Sequence, residues 1–289
     1  MRAQIVVGID GSVPSRSALE WCIDRAKTTG ETVELLSIVD YPLETQSDAF
    51  VSKALHRANE MLRSEAEFAR AYGIAVTTRL TRGDPFDGLV AASRSADILV
   101  VGTHKTGFIQ GRSIGSRFIG LAAMSRCPIA FVPNVSLISR RGVSLAVNDS
   151  PTGRRAAMFA ATEAERLGQR LTLLHAEPWH VDPAESAKVR TERELVTASQ
   201  TRSLISNQLA SLTDAHPSLT TKSITTRKPL AVEAIDASMT ASLVVLSHPQ
   251  AHASIGSDSG RLVHDVILNL GGPVVVVPRV DADGDPADA

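Results

Sequence analysis

The sequence predicts two tandem, doubly wound α/β domains, each with a mostly parallel sheet of five strands. Short apolar runs alternate along the chain with longer segments of helical periodicity, which is typical of parallel sheets with right-handed crossovers. The 289-residue chain also contains a similar segment twice. Residues 85–104 read P-F-D-G-L-V-A-A-S-R-S-A-D-I-L-V-V-G-T-H, and residues 229–248, 144 positions later, read P-L-A-V-E-A-I-D-A-S-M-T-A-S-L-V-V-L-S-H. A repeat of this length indicates a duplicated domain rather than a solenoid.

The first copy begins with a strand and alternates from there. Apolar runs such as L-L-S-I-V and I-L-V-V suit strands that helices cover on both faces of a sheet. The second helix carries one apolar stripe at helical spacing, formed by Leu55, Ala58, Leu62 and Ala69. We predict strands at 3–9, 32–39, 75–81, 98–103 and 129–132, and helices at 15–29, 47–72, 85–94 and 115–126.

The second copy repeats this order. We predict strands near 142–148, 170–176, 219–226, 243–247 and 273–277, and helices near 151–168, 183–214, 229–240 and 259–270. The domains would then span 1–134 and 142–280, with a linker at 134–141. Residues 281–289 read D-A-D-G-D-P-A-D-A and have no apolar anchor, which predicts a disordered tail.

The composition limits the classes of function. Thirty basic and 31 acidic residues give a formal net charge of −1, which argues against nucleic-acid binding because that function needs a basic surface. No apolar run approaches the roughly 18 residues of a membrane helix, and the N-terminus lacks a signal-peptide cleavage pattern. Cys22 and Cys127 lie far apart in apolar settings, which is typical of reduced, buried thiols. We therefore expect a cytoplasmic protein without membrane contact.

Two segments of the first copy should meet at one edge of the sheet. In open α/β sheets, ligands bind at the carboxyl ends of the strands, where the strand order reverses. The first segment is G-I-D-G-S at 8–12, in which Gly11 permits a tight turn and Ser12 or Ser15 can cap the next helix. Two roles are open to Asp10: it caps that helix, or it accepts hydrogen bonds from a ribose or a base edge.

The second segment is the glycine-rich stretch after the fourth strand. Residues 102–116 read G-T-H-K-T-G-F-I-Q-G-R-S-I-G-S and contain four glycines. Backbone N–H groups at a helix N-terminus bind anions where no side chain obstructs them. The stretch is therefore either a phosphate site or a plain connection. There is no C-x-x-C pair and no Walker lysine pattern, and we predict no metal site and nominate no catalytic residue.

Together these motifs resemble the universal stress protein family. The resemblance rests on strand–G-x-D-G-S–helix, on V-V-G-x-H followed by G-S, and on C-P-I-A-F-V-P at 127–133. It extends over both copies and implies a tandem member with flavodoxin-like, Rossmann-like domains. Nucleotide-binding members carry G-x-x-G, nine residues and then G-[S/T]. Gly102, Gly115 and Ser116 fit this pattern, whereas Lys105 replaces the second glycine and a glycine is displaced to Gly107.

The resemblance implies roles for individual residues. Asp10 would contact adenine or ribose, and Ile38 would line the adenine pocket near Gly8 and Ile9. The cofactor would be ATP, with or without Mg²⁺. Its phosphates and ribose would be held by Gly102, His104, Lys105, Gly115, Ser116 and the backbone of Arg117 and Phe118.

Lys105 has two opposite effects on this expectation. If the backbone there must be left-handed, a non-glycine residue costs about 1–2 kcal/mol. An ammonium contact to a phosphate contributes about 1.5–3 kcal/mol. Arg112 and Arg117 add positive charge beside the same loop. The backbone cost and the ammonium contact are comparable, and with the two arginines added we expect the first copy to bind ATP.

The second copy is expected to have a degenerate site. Matching the letters of the two copies aligns Asp10 with Asp149, Gly102 with Leu246 and His104 with His248. Counting back from the proline after each last strand aligns Gly115-Ser116 with Gly260-Arg261, and Gly256-Ser257 is an alternative pair four residues earlier. A leucine side chain at 246 would project where a phosphate approaches the backbone. The histidine repeated at the strand end either contacts ligand or stabilises the loop.

The resemblance implies a cytosolic stress-response sensor or regulator. Two alternatives stay open: a slow ATPase or other nucleotide-dependent enzyme, and an interaction module that has lost its nucleotide. The apolar last strands, I-A-F-V at 129–132 and V-V-V-V at 274–277, either pair edge to edge or are simply buried. Edge pairing would join the two domains, or join subunits in a homo-oligomer such as a dimer.

Overall fold

A computed structural model describes residues 4–40, 48–103, 114–148, 150–177, 187–248 and 258–279. The N-terminal half contains β1 (Gln4–Gly8), α1 (Val13–Thr29), β2 (Thr32–Val39), α2 (Asp48–Arg70), β3 (Val76–Arg82), α3 (Pro85–Ala92), β4 (Ile98–Thr103), α4 (Ile114–Met124) and β5 (Ile129–Pro133). The C-terminal half contains β6 (Val143–Ala146), α5 (Pro151–Leu167), β7 (Leu171–Ala176), α6 (Ala187–Ala215), β8 (Thr221–Thr226), α7 (Leu230–Ser238), β9 (Leu243–Ser247), α8 (Asp258–Leu268) and β10 (Val274–Val277).

This order confirms the predicted strand–helix alternation in both halves. The predicted strands at 98–103 and 243–247 have the bounds of β4 and β9. The first four residues of the helix predicted at 183–214 and the acidic tail at 281–289 lie outside the described residues. None of the described helices is long and apolar enough to cross a membrane.

The ten strands of the described residues form one sheet in the order β3-β2-β1-β4-β5-β10-β9-β6-β7-β8. Neighbouring strands within each half run parallel, as predicted, and the two halves are joined by antiparallel pairing of β5 with β10. In that pairing Val274 lies opposite Phe131 and Val276 lies opposite Ile129. The prediction that the last strands pair between the halves is therefore confirmed.

The helices cover both faces of the sheet and form two continuous apolar cores. Helices α1, α2, α5 and α6 pack on one face, and α3, α4, α7 and α8 pack on the other. Each core includes residues of both halves, because the sheet runs without interruption from one half to the other. The largest fully buried side chains include Phe131 of β5 and Leu145 of β6.

A buried ionic cluster also joins the halves, between α1 and α5. The Arg25 guanidinium donates to Glu31 at 2.9 Å and to Glu163 of the other half. Arg166 donates to the second oxygen of Glu163 at 2.9 Å and to Thr28 of α1 at 3.1 Å. Glu163 has no exposed surface, so the two guanidinium groups take the place of its hydration.

We expect the replacement Glu163→Gln to destabilise the protein by roughly 3–5 kcal/mol, because it removes the buried carboxylate that both Arg25 and Arg166 contact. Urea denaturation followed by circular dichroism measures the change. The matched control is Asp236→Asn, which removes a carboxylate from an exposed pair with Lys228 and should change stability little. Equal effects of the two replacements would contradict a structural role for the cluster.

Candidate functional site

The candidate site lies where the strand order reverses. From β1 the chain proceeds outward to β2 and β3, and it later returns to place β4 on the other side of β1. The carboxyl ends of β1 and β4 therefore border a crevice, which is the usual position of ligands in open α/β sheets. The turn after β1 forms one wall of this crevice, and the end of β4 forms the other.

The turn after β1 exposes a carboxylate. Ile9 is buried, whereas Asp10 is exposed, and an Asp10 carboxylate oxygen accepts a hydrogen bond from the Ser12 backbone N–H at 2.9 Å. Burial alone would raise the pKa of Asp10, but hydrogen bonds from the Ser12 side chain and backbone outweigh it and lower that pKa below its usual value. Ser12 is the helix cap, because its hydroxyl accepts from Ser15 N–H at 3.2 Å. Asp10 is thus ionised and open to the crevice.

Gly11 is required in this turn for two reasons. Its φ of +78° lies in the left-handed region, which other residues rarely adopt. A β-carbon at this position would also lie 2.9 Å from the Met61 sulfur atom of α2. The turn is therefore held from one side by the helix that covers it.

Gly102, at the end of β4, is required by close packing. A β-carbon there would lie 2.2 Å from the Pro14 carbonyl oxygen and 2.6 Å from the Ser15 nitrogen. The first turn of α1 thus rests directly on β4, which brings the two walls of the crevice together. The sequence pattern suggested phosphate approach as the reason for this glycine, and it gave no sign of the helix contact.

Helix α4 follows the glycine-rich stretch, and its N-terminus presents backbone N–H groups that have no partner within the helix. A helix that begins at Ile114 leaves the N–H groups of Gly115 and Ser116 without intrahelical partners. The backbone of Arg117 and Phe118, which was also expected to contact phosphate, lies near the start of α4. The Phe118 ring packs edge-on against Phe131 with 5.8 Å between ring centroids.

The other residues predicted to bind the nucleotide do not form one cluster among the described residues. The Ile38 side chain, near the end of β2, packs so closely on α3 that a β-carbon on Gly88 would lie 2.5 Å from it. Arg117 extends its exposed guanidinium to 3.8 Å from the Asp84 carboxylate. His104 and Lys105 lie outside the described residues.

The first correction concerns the partner of Asp10 in the second half. Helices α1 and α5 have the same length and are capped by Ser12 and Ser150. Counting back two residues from each cap aligns Asp10 with Asn148, not with Asp149 as predicted. The prediction matched identical letters and was wrong by one residue. Aligning the capping serines that begin S-V-P-S and S-P-T-G gives the right correspondence.

The second correction concerns the partner of Gly102. Ile5 of β1 pairs with Ile98, and Val143, the equivalent of Ile5 by the same count, pairs with Leu243. Ser247 is therefore the equivalent of Gly102. Leu246 is fully buried in the core and does not project into a crevice, and His248 corresponds to Thr103 rather than to His104. The predicted alignment was wrong here because it was also displaced by one residue.

With this register, side chains bridge the equivalent crevice of the second half. The Asn148 amide nitrogen donates to the Ser247 hydroxyl, which joins the ends of β6 and β9. The side-chain oxygen of Asn148 accepts a hydrogen bond from the Ser150 hydroxyl at 2.6 Å. Where the first half has an exposed carboxylate beside a glycine, the second half has a neutral amide that is already hydrogen-bonded on both sides.

Two short sequence patterns resemble catalytic or metal-binding motifs, and both extend into residues outside the described structure. G-R-S-I-G at 111–115 begins well after β4 ends, whereas a nucleophile elbow joins a strand directly to a helix. H-P-Q-A-H at 248–252 precedes α8, and its residues after His248 lie outside the described residues. Among the described residues, no group of three or more His, Cys, Asp or Glu side chains could hold a metal ion.

Comparisons of the sequence and of the structure with known proteins both find universal stress proteins. The model of the universal stress protein family matches residues 1–133 and 140–278. A universal stress protein of Mycobacterium tuberculosis is 24% identical over 96% of each chain. The crystal structure of a universal stress protein from Archaeoglobus fulgidus matches 96% of this chain and 98% of its own, with a TM-score of 0.66 and 21% identity. An Arabidopsis thaliana family protein with AMP bound matches 47% of this chain and 95% of its own, with 16% identity and a TM-score of 0.36.

We expect Gly102→Ala to destabilise the protein by about 1–3 kcal/mol, because the added methyl group overlaps the first turn of α1. The matched control is Ser247→Ala at the equivalent position, where a β-carbon is already accommodated. It should cost about 1 kcal/mol for the lost hydrogen bond to Asn148. Thermal and urea unfolding of both variants test this. A Gly102→Ala protein as stable as the parent would show that α1 does not rest on β4.

Proposed function

The chain belongs to the universal stress protein family, and from this premise we propose that its N-terminal half binds one ATP in the crevice between β1 and β4. The observation that carries the proposal is the exposed, ionised Asp10 beside the closely packed Gly102 at the reversal of strand order. Such a crevice offers a hydrogen-bond acceptor for a nucleoside and small residues where its phosphates must approach.

Each end of the nucleotide has its own partners in this proposal. The Asp10 carboxylate accepts from a ribose hydroxyl or the adenine amino group, and Ile38 forms an apolar wall with Gly8 and Ile9. The free N–H groups of Gly115 and Ser116 donate to the phosphates, where the positive end of the α4 dipole favours negative charge. His104 and Lys105 complete the phosphate end, with Lys105 as a point charge.

The C-terminal half does not bind ATP in this proposal. Asn148 is neutral where Asp10 is charged, and both polar atoms of its side-chain amide are engaged by Ser247 and Ser150. A nucleotide would have to break these bonds before it could form its own, which removes much of the binding energy. One nucleotide per chain follows.

We further propose that the protein acts in the cytoplasm as a regulator rather than an enzyme. Helix α4 follows the phosphate-binding stretch and packs against α8 of the other half. A nucleotide that favours one position of α4 would therefore bias the contact between the halves. Phe118 of α4 and Val263 of α8 belong to the same apolar core, which offers a physical route for this coupling.

We expect isothermal titration to give one ATP per chain. Gly115→Glu should abolish binding, because the new side chain obstructs the helix N-terminus and its charge repels phosphate. Gly260→Glu, at the matching position of the other half, is the control and should bind ATP like the parent. Two equivalent sites per chain, or unchanged binding by Gly115→Glu, would contradict the proposed site.

We expect Lys105→Ala to weaken ATP binding about tenfold or more, since one tenfold step corresponds to about 1.4 kcal/mol. Adenosine, which lacks phosphates, should bind the variant and the parent alike, and the loss for ATP should shrink at high salt. If Lys105 only strains the loop, Lys105→Gly would instead tighten ATP and adenosine equally. Unchanged ATP affinity in both variants would show that the ammonium group makes no contact.

A further inference from the structure

The C-terminal half has a cavity of about 820 Å³ between α5 and α6, near the end of β7. Its α6 wall is formed by hydroxyl and amide side chains spaced four residues apart, which places them on one face of the helix. These residues are Ser199, Ser203, Asn207 and Ser211. Met158, Leu204 and Leu212 provide an apolar floor and side. The cavity is separate from the bridged crevice formed by Asn148 and Ser247.

Gln208 is the side chain that connects this cavity to the sheet. It is 6% exposed, and its side-chain amide nitrogen donates to the backbone carbonyl oxygen of Asn148 at 3.2 Å. A carbonyl oxygen can only accept, so this bond fixes the orientation of the Gln208 amide. The Gln208 side-chain oxygen is buried and has no hydrogen-bond partner. Buried polar atoms are nearly always satisfied, so this acceptor at the wall of a cavity indicates a missing donor.

The same groove of the N-terminal half is filled. There the Arg16 guanidinium donates to Glu65 of α2 at 2.8 Å and lies 4.0 Å from the centre of the Phe68 ring. Met61 is the α2 residue that reaches the turn after β1, as Gln208 reaches the end of β6. The second half has therefore replaced an apolar contact and an ion pair by amides, hydroxyls and open space.

The lining of the cavity restricts the chemistry of its ligand. Arg154 is the one permanently charged side chain among the described lining residues, and those residues include no carboxylate. Burial lowers the pKa of His175 below its usual value, so the imidazole adds no charge at neutral pH. Hydroxyl and amide groups exchange hydrogen bonds with a ligand that has several hydroxyl groups.

We propose that the groove between α5 and α6 binds a small polyhydroxylated molecule, with a hydroxyl group donating to the Gln208 side-chain oxygen. Ser203, Asn207 and Ser211 contact its other hydroxyl groups, and Leu204 and Leu212 contact its carbon face. The inference is independent of ATP binding, because this groove and the ATP crevice belong to different halves.

The test uses D-glucitol and D-gluconate, a neutral polyol and its carboxylate counterpart, with the full-length protein. Saturation-transfer difference NMR should show saturable binding of at least one of them in the millimolar range or tighter. Preference for gluconate would identify sugar acids, and equal binding would identify neutral polyols. Gln208→Leu should weaken binding about tenfold, as expected for one hydrogen bond in a buried site.

The matched controls lie on the same helix. Ser203→Phe fills the groove and should abolish binding, whereas Ser206→Phe, exposed and outside the cavity lining, should leave it unchanged. Circular dichroism verifies that each variant is folded. The proposal is overturned if neither polyol binds the parent, if Ser203→Phe binds like the parent, or if saturating ATP displaces the polyol.

Discussion

The antiparallel pairing of β5 with β10 is the contact on which the rest of the molecule depends. Both strands are completely buried and strongly apolar, so either one without the other would leave an open hydrophobic edge. Their pairing turns two five-stranded sheets into one and allows the cores on both faces to continue from half to half. The packing of α4 on α8 and the cluster around Glu163 both require this arrangement.

Much of the fold could be predicted from the sequence because its strands are continuous apolar runs between helices of clear periodicity. Such runs are expected of strands that helices cover on both faces of a sheet, and the predicted bounds of β4 and β9 agree with the structure. The register between the halves could not be predicted from matching letters. Equal residues at 10 and 149, and at 104 and 248, suggested an alignment that helix caps and strand pairing correct by one residue.

Less of the candidate site could be predicted, for a physical reason. A sequence motif shows which residue is small or charged, but not what lies against it. Gly102 fits a phosphate-binding pattern, yet its nearest neighbour is the Pro14 carbonyl group of α1. The bridge from Asn148 to Ser247 joins residues 99 positions apart, and no local pattern indicates it. The turn at Asp10 is local, and G-x-D-G-S could predict its tight glycine and its capping serine.

The antiparallel pairing of β5 with β10 also determines how the two halves are oriented relative to each other. Because β5 and β10 run in opposite directions, the halves are related by a pseudo-twofold axis perpendicular to the sheet, and their strand carboxyl ends point away from each other. The crevice that we propose for ATP and the α5–α6 groove therefore open at opposite ends of the sheet. A molecule bound at one end of the sheet would therefore leave the other end accessible.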